Sequence, residues 1–170
     1  MARSSVVVFT LLLMVMAFSF FASPPNSPAK QVKEFYLHQA FTFIKEVDSL
    51  QANIYSGNKK KIPSRFFRAR AAYKQIEVFV EYYFTFYAVK LNGPPIPFFE
   101  EDEPDVPENK PFGMQVIESL IFPELKKENN IELKFQVDEL VRLAKELPTI
   151  TESFEFNDAN IFDAFMEETF

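Results

Sequence analysis

Apolar residues in this chain recur at three- and four-residue steps, and no stretch sustains a period-two alternation. Such spacing gives a helix one apolar face and gives a strand none. The predicted fold class is therefore all-α, a helical bundle of four to five helices. In residues 29–55 the stripe is Val32, Phe35, Tyr36, Phe43, Val47, Leu50 and Ile54, with Ser27-Pro28 as a start signal and Gly57 as a stop. A second helix is expected from residue 63 or 64 to 91, with Asn92-Gly93 as its C-terminal signal and Pro94-Pro95 blocking continuation. Its inward stripe is Phe66, Ala69, Tyr73, Ile76, Val80, Phe84, Tyr87 and Leu91.

A third helix is expected to start around Pro111 and to end before Pro123. A fourth covers roughly 130–147, with Leu133, Val137, Leu140, Val141, Ala144 and Leu147 inward. The last runs from 158 to the terminus, with Ile161, Phe162, Phe165 and Phe170 apolar. Between the second and third helices, residues 96–111 form an acidic, proline-rich loop. Its prolines forbid a helix, and its like charges favour extension.

At 170 residues, with 48% hydrophobic residues and only three glycines, the chain supports one domain with a core of its own. Phenylalanine dominates that core, with 22 residues and no tryptophan. Residues 1–22 read as a secretory signal peptide: Arg3 is the positive leader, "VVVFTLLLMVMAF" the apolar core, and small residues follow at Ala17, Ser19, Ala22 and Ser23. This predicts a periplasmic or exported protein with its helical bundle in residues 23–170. An uncleaved N-terminal helix acting as a membrane anchor is the alternative. With no cysteine, the chain has neither a disulfide nor a thiol for a lipid anchor. The net charge is -6, and the basic residues are dispersed apart from Lys59, Lys60 and Lys61, so no basic stripe follows a phosphate backbone and nucleic acid is not an expected partner.

The chemically distinctive residues lie between 65 and 122. On the second helix, Glu77 falls about 40° from Tyr73 around the axis, inside the edge of the apolar arc, with Arg70 and Glu81 just beyond it. On the third, Gln115 and Glu118 share a face within a G-x-Q-x-x-E pattern. Polar groups against apolar helix surface need partners or a purpose. Two readings stand. Glu77, Glu81, Gln115 and Glu118 could converge on a hard cation, since carboxylates with a neutral oxygen donor suit one. Alternatively Arg70, Tyr73, Glu77, Gln115 and Glu118 form a structural polar network holding two helices in register. His38, the one histidine, stands apart on the first helix. No nucleophile triad and no glycine-rich phosphate loop is present, so catalytic residues are predicted to be none.

The segments "RARAAYKQIEVFVEYY", "KLNGPPIP" and "GMQVIESLIFPE" resemble the imelysin-like family of exported helical proteins, in the version found at the N-terminus of Bacteroidetes-type di-haem cytochrome c peroxidases. Imelysins carry a G-x-H-x-x-E motif that aligns with Gly113, Gln115 and Glu118, so Gln115 stands where the family has a suspected iron-ligating histidine. The resemblance implies a periplasmic helical bundle, with Glu118 and Glu77 left as the metal ligands for iron or another divalent cation. It implies a non-catalytic exported module associated with a di-haem cytochrome c peroxidase or another periplasmic redox partner. Two alternatives accompany it: an imelysin-type iron- or cation-binding protein, and a truncated N-terminal part of a peroxidase, because the chain ends at Phe170 within a helical pattern. Without a Cys-x-x-Cys-His segment this chain attaches no haem of its own.

Overall fold

Seven helices and no strand occur among the described residues, 27–93 and 111–167, of the computed structural model. Helix α1 spans Pro28–Tyr55. Pro28 sits in its first turn, where no amide donor is needed, and the Ser27 hydroxyl accepts from the Lys30 amide at 3.3 Å. The buried residues Tyr36, Ala40, Phe43, Val47, Leu50 and Ile54 alternate four- and three-residue steps, a seam of period 3.5. Of the neighbours Phe35 and Tyr36, both expected inward, only Tyr36 is buried, and Phe35 is 50% exposed. Adjacent residues lie about 100° apart, so one seam cannot centre on both.

The stretch expected as one long second helix is three: α2 over Ile62–Tyr73, α3 over Glu77–Tyr83 and α4 over Thr85–Asn92. At the first break the amides of Gln75 and Ile76 bond only three residues back, to Ala72 and Tyr73 carbonyls at 3.2 and 2.9 Å, which tightens the turn. At the second, Phe84 leaves helical geometry with φ -134 and ψ 51. Neither break contains glycine or proline. The local sequence is rich in β-branched and aromatic residues, whose helix propensity is poor.

Tertiary packing exploits that weakness. Bending brings Phe79, Tyr83 and Phe84 around Tyr36 and the Phe154–Phe156 segment. Ring centroids stand 5.7 Å apart for Tyr36–Phe79, 4.9 Å for Tyr83–Phe154 and 5.1 Å for Tyr83–Phe156. Each such pair contributes about 0.5–1.5 kcal/mol beyond burial, and several together outweigh a few helical hydrogen bonds at about 1 kcal/mol each. The two breaks account for seven helices in place of four to five.

Helix α5 spans Met114–Ile121, α6 spans Asn130–Glu152 and α7 spans Asp158–Glu167. The six residues expected to face inward on α6 are all buried. The helix runs beyond its expected end at 147 because Pro148 is accommodated inside it, buried. Phe162, expected on the apolar side of the last helix, is 64% exposed, while Ile161 and Ala164 are buried.

Helix α1 is the spine and packs most extensively on α2 and α6, both running antiparallel to it. Near its C-terminus Gln51 and Tyr55 donate to the Asp138 carboxylate of α6 at 2.8 and 2.6 Å. One turn before Gln51, Asp48 meets Lys145 at 3.0 Å. Near its N-terminus the Lys33 ammonium donates to the Glu152 and Phe154 carbonyls at 3.2 and 2.8 Å. The Ala29 amide donates to Asp158 Oδ1, at the start of α7, at 3.1 Å. Among the described residues no helix is long and apolar enough to cross a membrane. The predicted signal segment at 1–22, the acidic loop up to residue 110, the side chain of Phe165 and Phe170 lie outside the described residues.

Candidate functional site

Helix α5 is set against the end of α4 by Gly113. Its φ of 93 lies in the left-handed region, and a Cβ built there would stand 2.4 Å from the Leu91 carbonyl oxygen and 2.6 Å from that of Lys90. Only glycine permits both the dihedral and the approach. The Gly113 amide donates to Gln136 Oε1 of α6 at 3.1 Å, and Gln136 Nε2 donates in turn to the Pro111 carbonyl at 3.2 Å and to Glu132 at 2.8 Å. Gln136 is only 2% exposed. Its amide therefore satisfies backbone groups that would otherwise be buried without partners.

From that anchor α5 projects Gln115 and Glu118 one turn apart. Glu118 forms an ion pair with Arg70 of α2, and both side chains are about one-third exposed, at 35% and 36%. Gln115 Nε2 donates to the Asn92 carbonyl at 3.0 Å, and Asn92 Nδ2 donates to Glu77 Oε1 at 3.2 Å. The other oxygen of Glu77 takes the Lys74 ammonium. Glu77 opens α3, where a carboxylate is favoured by the helix dipole. The residues expected as one network thus lie in two linked groups: Arg70 with Glu118, and Glu77 with Asn92 and Gln115. The break after Tyr73 explains the separation. It turns Glu77 away from the helical register it would share with Arg70 and hands it to Lys74 and Asn92.

Tyr73 is fully buried and packs on Phe43, with ring centroids 5.5 Å apart. Its hydroxyl has no hydrogen-bond partner among the described residues. Burial pushes its phenol strongly upward, and the carboxylates of Glu77 and Glu81 and the Tyr36 phenol push the same way. Tyr36 is likewise buried, and desolvation raises its phenol to about 12, with the Thr151 hydroxyl opposing slightly. Thr151 itself donates to the Leu147 carbonyl at 2.6 Å, and the Tyr36 hydroxyl makes no bond of good geometry. The interior between α1, α2 and α3 therefore holds neutral phenols, with the Glu77 and Glu81 carboxylates nearer the surface.

Both carboxylates named as metal ligands, Glu77 and Glu118, carry cationic partners, and among the described residues no three His, Cys, Asp or Glu side chains come close enough together to hold a metal ion. His38 is exposed on α1, where its carbonyl accepts from the Thr42 hydroxyl at 3.1 Å. Two residues of the site escaped sequence reasoning. Asn92 entered only as half of an Asn-Gly stop signal. Gln136 had a readable cue, since it is a polar residue between Leu133, Val137 and Leu140 on the inward face of α6. Comparison of the chain with family models, curated proteins and solved structures finds no match.

Proposed function

We propose that the chain is a non-catalytic helical module of imelysin-like type, exported to the periplasm, that associates with a haem-bearing redox protein such as a di-haem cytochrome c peroxidase. One observation carries the non-catalytic part of this reading. The motif residues Gly113, Gln115 and Glu118 are spent on internal structure: a close backbone approach, a bond to the Asn92 carbonyl and an ion pair with Arg70. Groups committed in this way hold helices in register and offer a substrate little. The haem partner is supported by the sequence resemblance of residues 68–124.

The test is size-exclusion chromatography of the purified chain mixed with a di-haem c-type peroxidase from the same cell, read by haem absorbance and light scattering. A one-to-one complex at micromolar concentration supports the reading. Separate elution with the two proteins at tens of micromolar overturns the association. Elemental analysis of the chain purified from the periplasm is the second readout. Stoichiometric iron that disappears in Glu118→Ala would replace the structural reading of the motif with a cation-binding one.

A further inference from the structure

At the end of the bundle where the α1–α2 connection meets the segment after α5, a cavity of ≈ 260 Å³ opens to solvent. Its walls are mostly apolar: Ile62 and Pro63 from the start of α2, and Ile121, Phe122, Pro123 and Leu125 from the other side. The apolar surface continues outward, because Phe67 is 53% exposed and its ring stands 5.4 Å from that of Phe122. Lys59 ties the two walls together, donating to the Leu125 carbonyl at 3.3 Å.

Charge surrounds this cavity with a sign opposite to that of the whole molecule. Lys59, Lys60 and Lys61 precede Ile62, and Lys126 and Lys127 follow Leu125, so each of these five lies at or within two residues of a lining position. Against these five stand Glu124 on the wall and Glu128, which lies 4.0 Å from Lys126. The rim therefore carries a local excess of three positive charges in a chain whose net charge is -6. Lys60, Lys61 and Lys127 are exposed and have no ion-pair partner among the described residues. Clustered like charges around an apolar concavity focus an attractive field on an anion that also brings apolar surface.

We propose that this groove docks an acidic peptide segment, seating one aromatic side chain in the cavity while carboxylates on either side of it meet the lysine rim. The cavity lies just below the usual size of a drug-like pocket and suits a single anchor, and buried aromatic anchors ringed by polar contacts dominate peptide and protein interfaces. A membrane surface would satisfy the lysines and Phe67 but would leave the concavity unfilled. The cavity lies about one helical turn from the Arg70–Glu118 pair along the α2–α5 seam and shares no lining residue with it, and the inference does not rest on the haem-protein association.

The test is fluorescence anisotropy with a labelled synthetic peptide of two adjacent phenylalanines flanked by aspartates and glutamates, alongside the same peptide with the phenylalanines changed to serine and another with the acids changed to lysine. Saturable binding of the first peptide is expected, at least about tenfold tighter than either control and weakened by rising salt. In Lys60→Glu with Lys61→Glu, affinity is expected to fall at least about tenfold, and in Phe67→Ala about threefold. Lys30→Glu with Lys45→Glu, the same charge change placed away from the cavity on α1, is expected to alter it less than twofold. Equal binding of all three peptides, or equal loss in both charge-reversed pairs, overturns the site. Sedimentation with vesicles of phosphatidylglycerol and phosphatidylcholine is run in parallel. Vesicle binding that depends on Lys60 and Lys61, without preference for the acidic aromatic peptide, overturns the peptide in favour of a membrane surface.

Discussion

Alkaline pH is expected to unfold this protein through Tyr36 and Tyr73. Both are fully buried, and burial raises both phenols, that of Tyr36 to about 12 against an ordinary value of 10.0. A folded-state value above the unfolded one means that the native state holds its proton where the unfolded chain has released it. The associated stability is complete below pH 10 and is lost as pH rises through the folded value. For Tyr36 a shift of this size removes about 2 kcal/mol by pH 12. Tyr73, raised first by desolvation and then by the Glu77 and Glu81 carboxylates, loses its contribution in the same direction, and the two losses act together against a total stability that for most domains is about 5–15 kcal/mol.

Spectroscopy suits the test because the chain has six tyrosines and no tryptophan, so tyrosinate absorbance is read without interference. Titrating the purified protein while following tyrosinate absorbance and helical circular dichroism together should give two phases. The accessible phenols ionise with the helices intact, and the buried ones ionise cooperatively as helicity is lost. Tyr73→Phe removes an unpartnered hydroxyl at constant shape. It is expected to move the alkaline unfolding midpoint upward while leaving stability at neutral pH unchanged or improved. If all six tyrosines ionise near the ordinary value with helicity intact, the burial of Tyr36 and Tyr73 is refuted.

Three other perturbations address the region around α5. Gly113→Ala places a Cβ against two carbonyl oxygens at a left-handed φ, and urea denaturation is expected to show a loss of at least about 2 kcal/mol. Gln136→Leu strands the Gly113 amide and the Pro111 carbonyl, with an expected cost of about 1–3 kcal/mol; an unchanged urea midpoint would count against the anchoring role. A double-mutant cycle of Arg70→Ala and Glu118→Gln is expected to give a coupling below about 1 kcal/mol that shrinks with salt, because both side chains are one-third exposed. A salt-independent coupling of several kcal/mol would mean that the pair is effectively desolvated.

Helix identity was legible wherever one local signal sufficed. Ser27-Pro28 starts α1, Gly57 follows its end in a left-handed turn, and the inward residues of α6 follow directly from their spacing. The breaks at 74–76 and at Phe84 were not legible, because no breaker residue marks them. They arise where weak helix propensity meets aromatic partners at Tyr36, Phe154 and Phe156, which are distant in sequence. Those same breaks decide the pairing in the candidate site. Residue types alone marked Glu77, Gln115 and Glu118 as polar positions beside apolar stripes. The partnership of Glu77 with Asn92 depends on a turn angle that no local pattern encodes.

The antiparallel seating of α1 on α6 also fixes an order of events during folding. The bonds from Lys33 to Glu152 and Phe154 and from Ala29 to Asp158 span 119, 121 and 129 residues. Helix α1, the first of the described helices to leave the ribosome, is thus the last of them to have both of its flanks covered. Until α6 and the Phe154–Phe156 segment are made, the face of α1 that will meet them stays bare, and the α1–α2 hairpin is the one large unit able to form early. Loop closure over such separations slows the final step, and the bare side of α1 around Tyr36, whose ring stands 6.4 Å from that of Phe156 in the folded protein, is the surface that a holding chaperone would meet during synthesis.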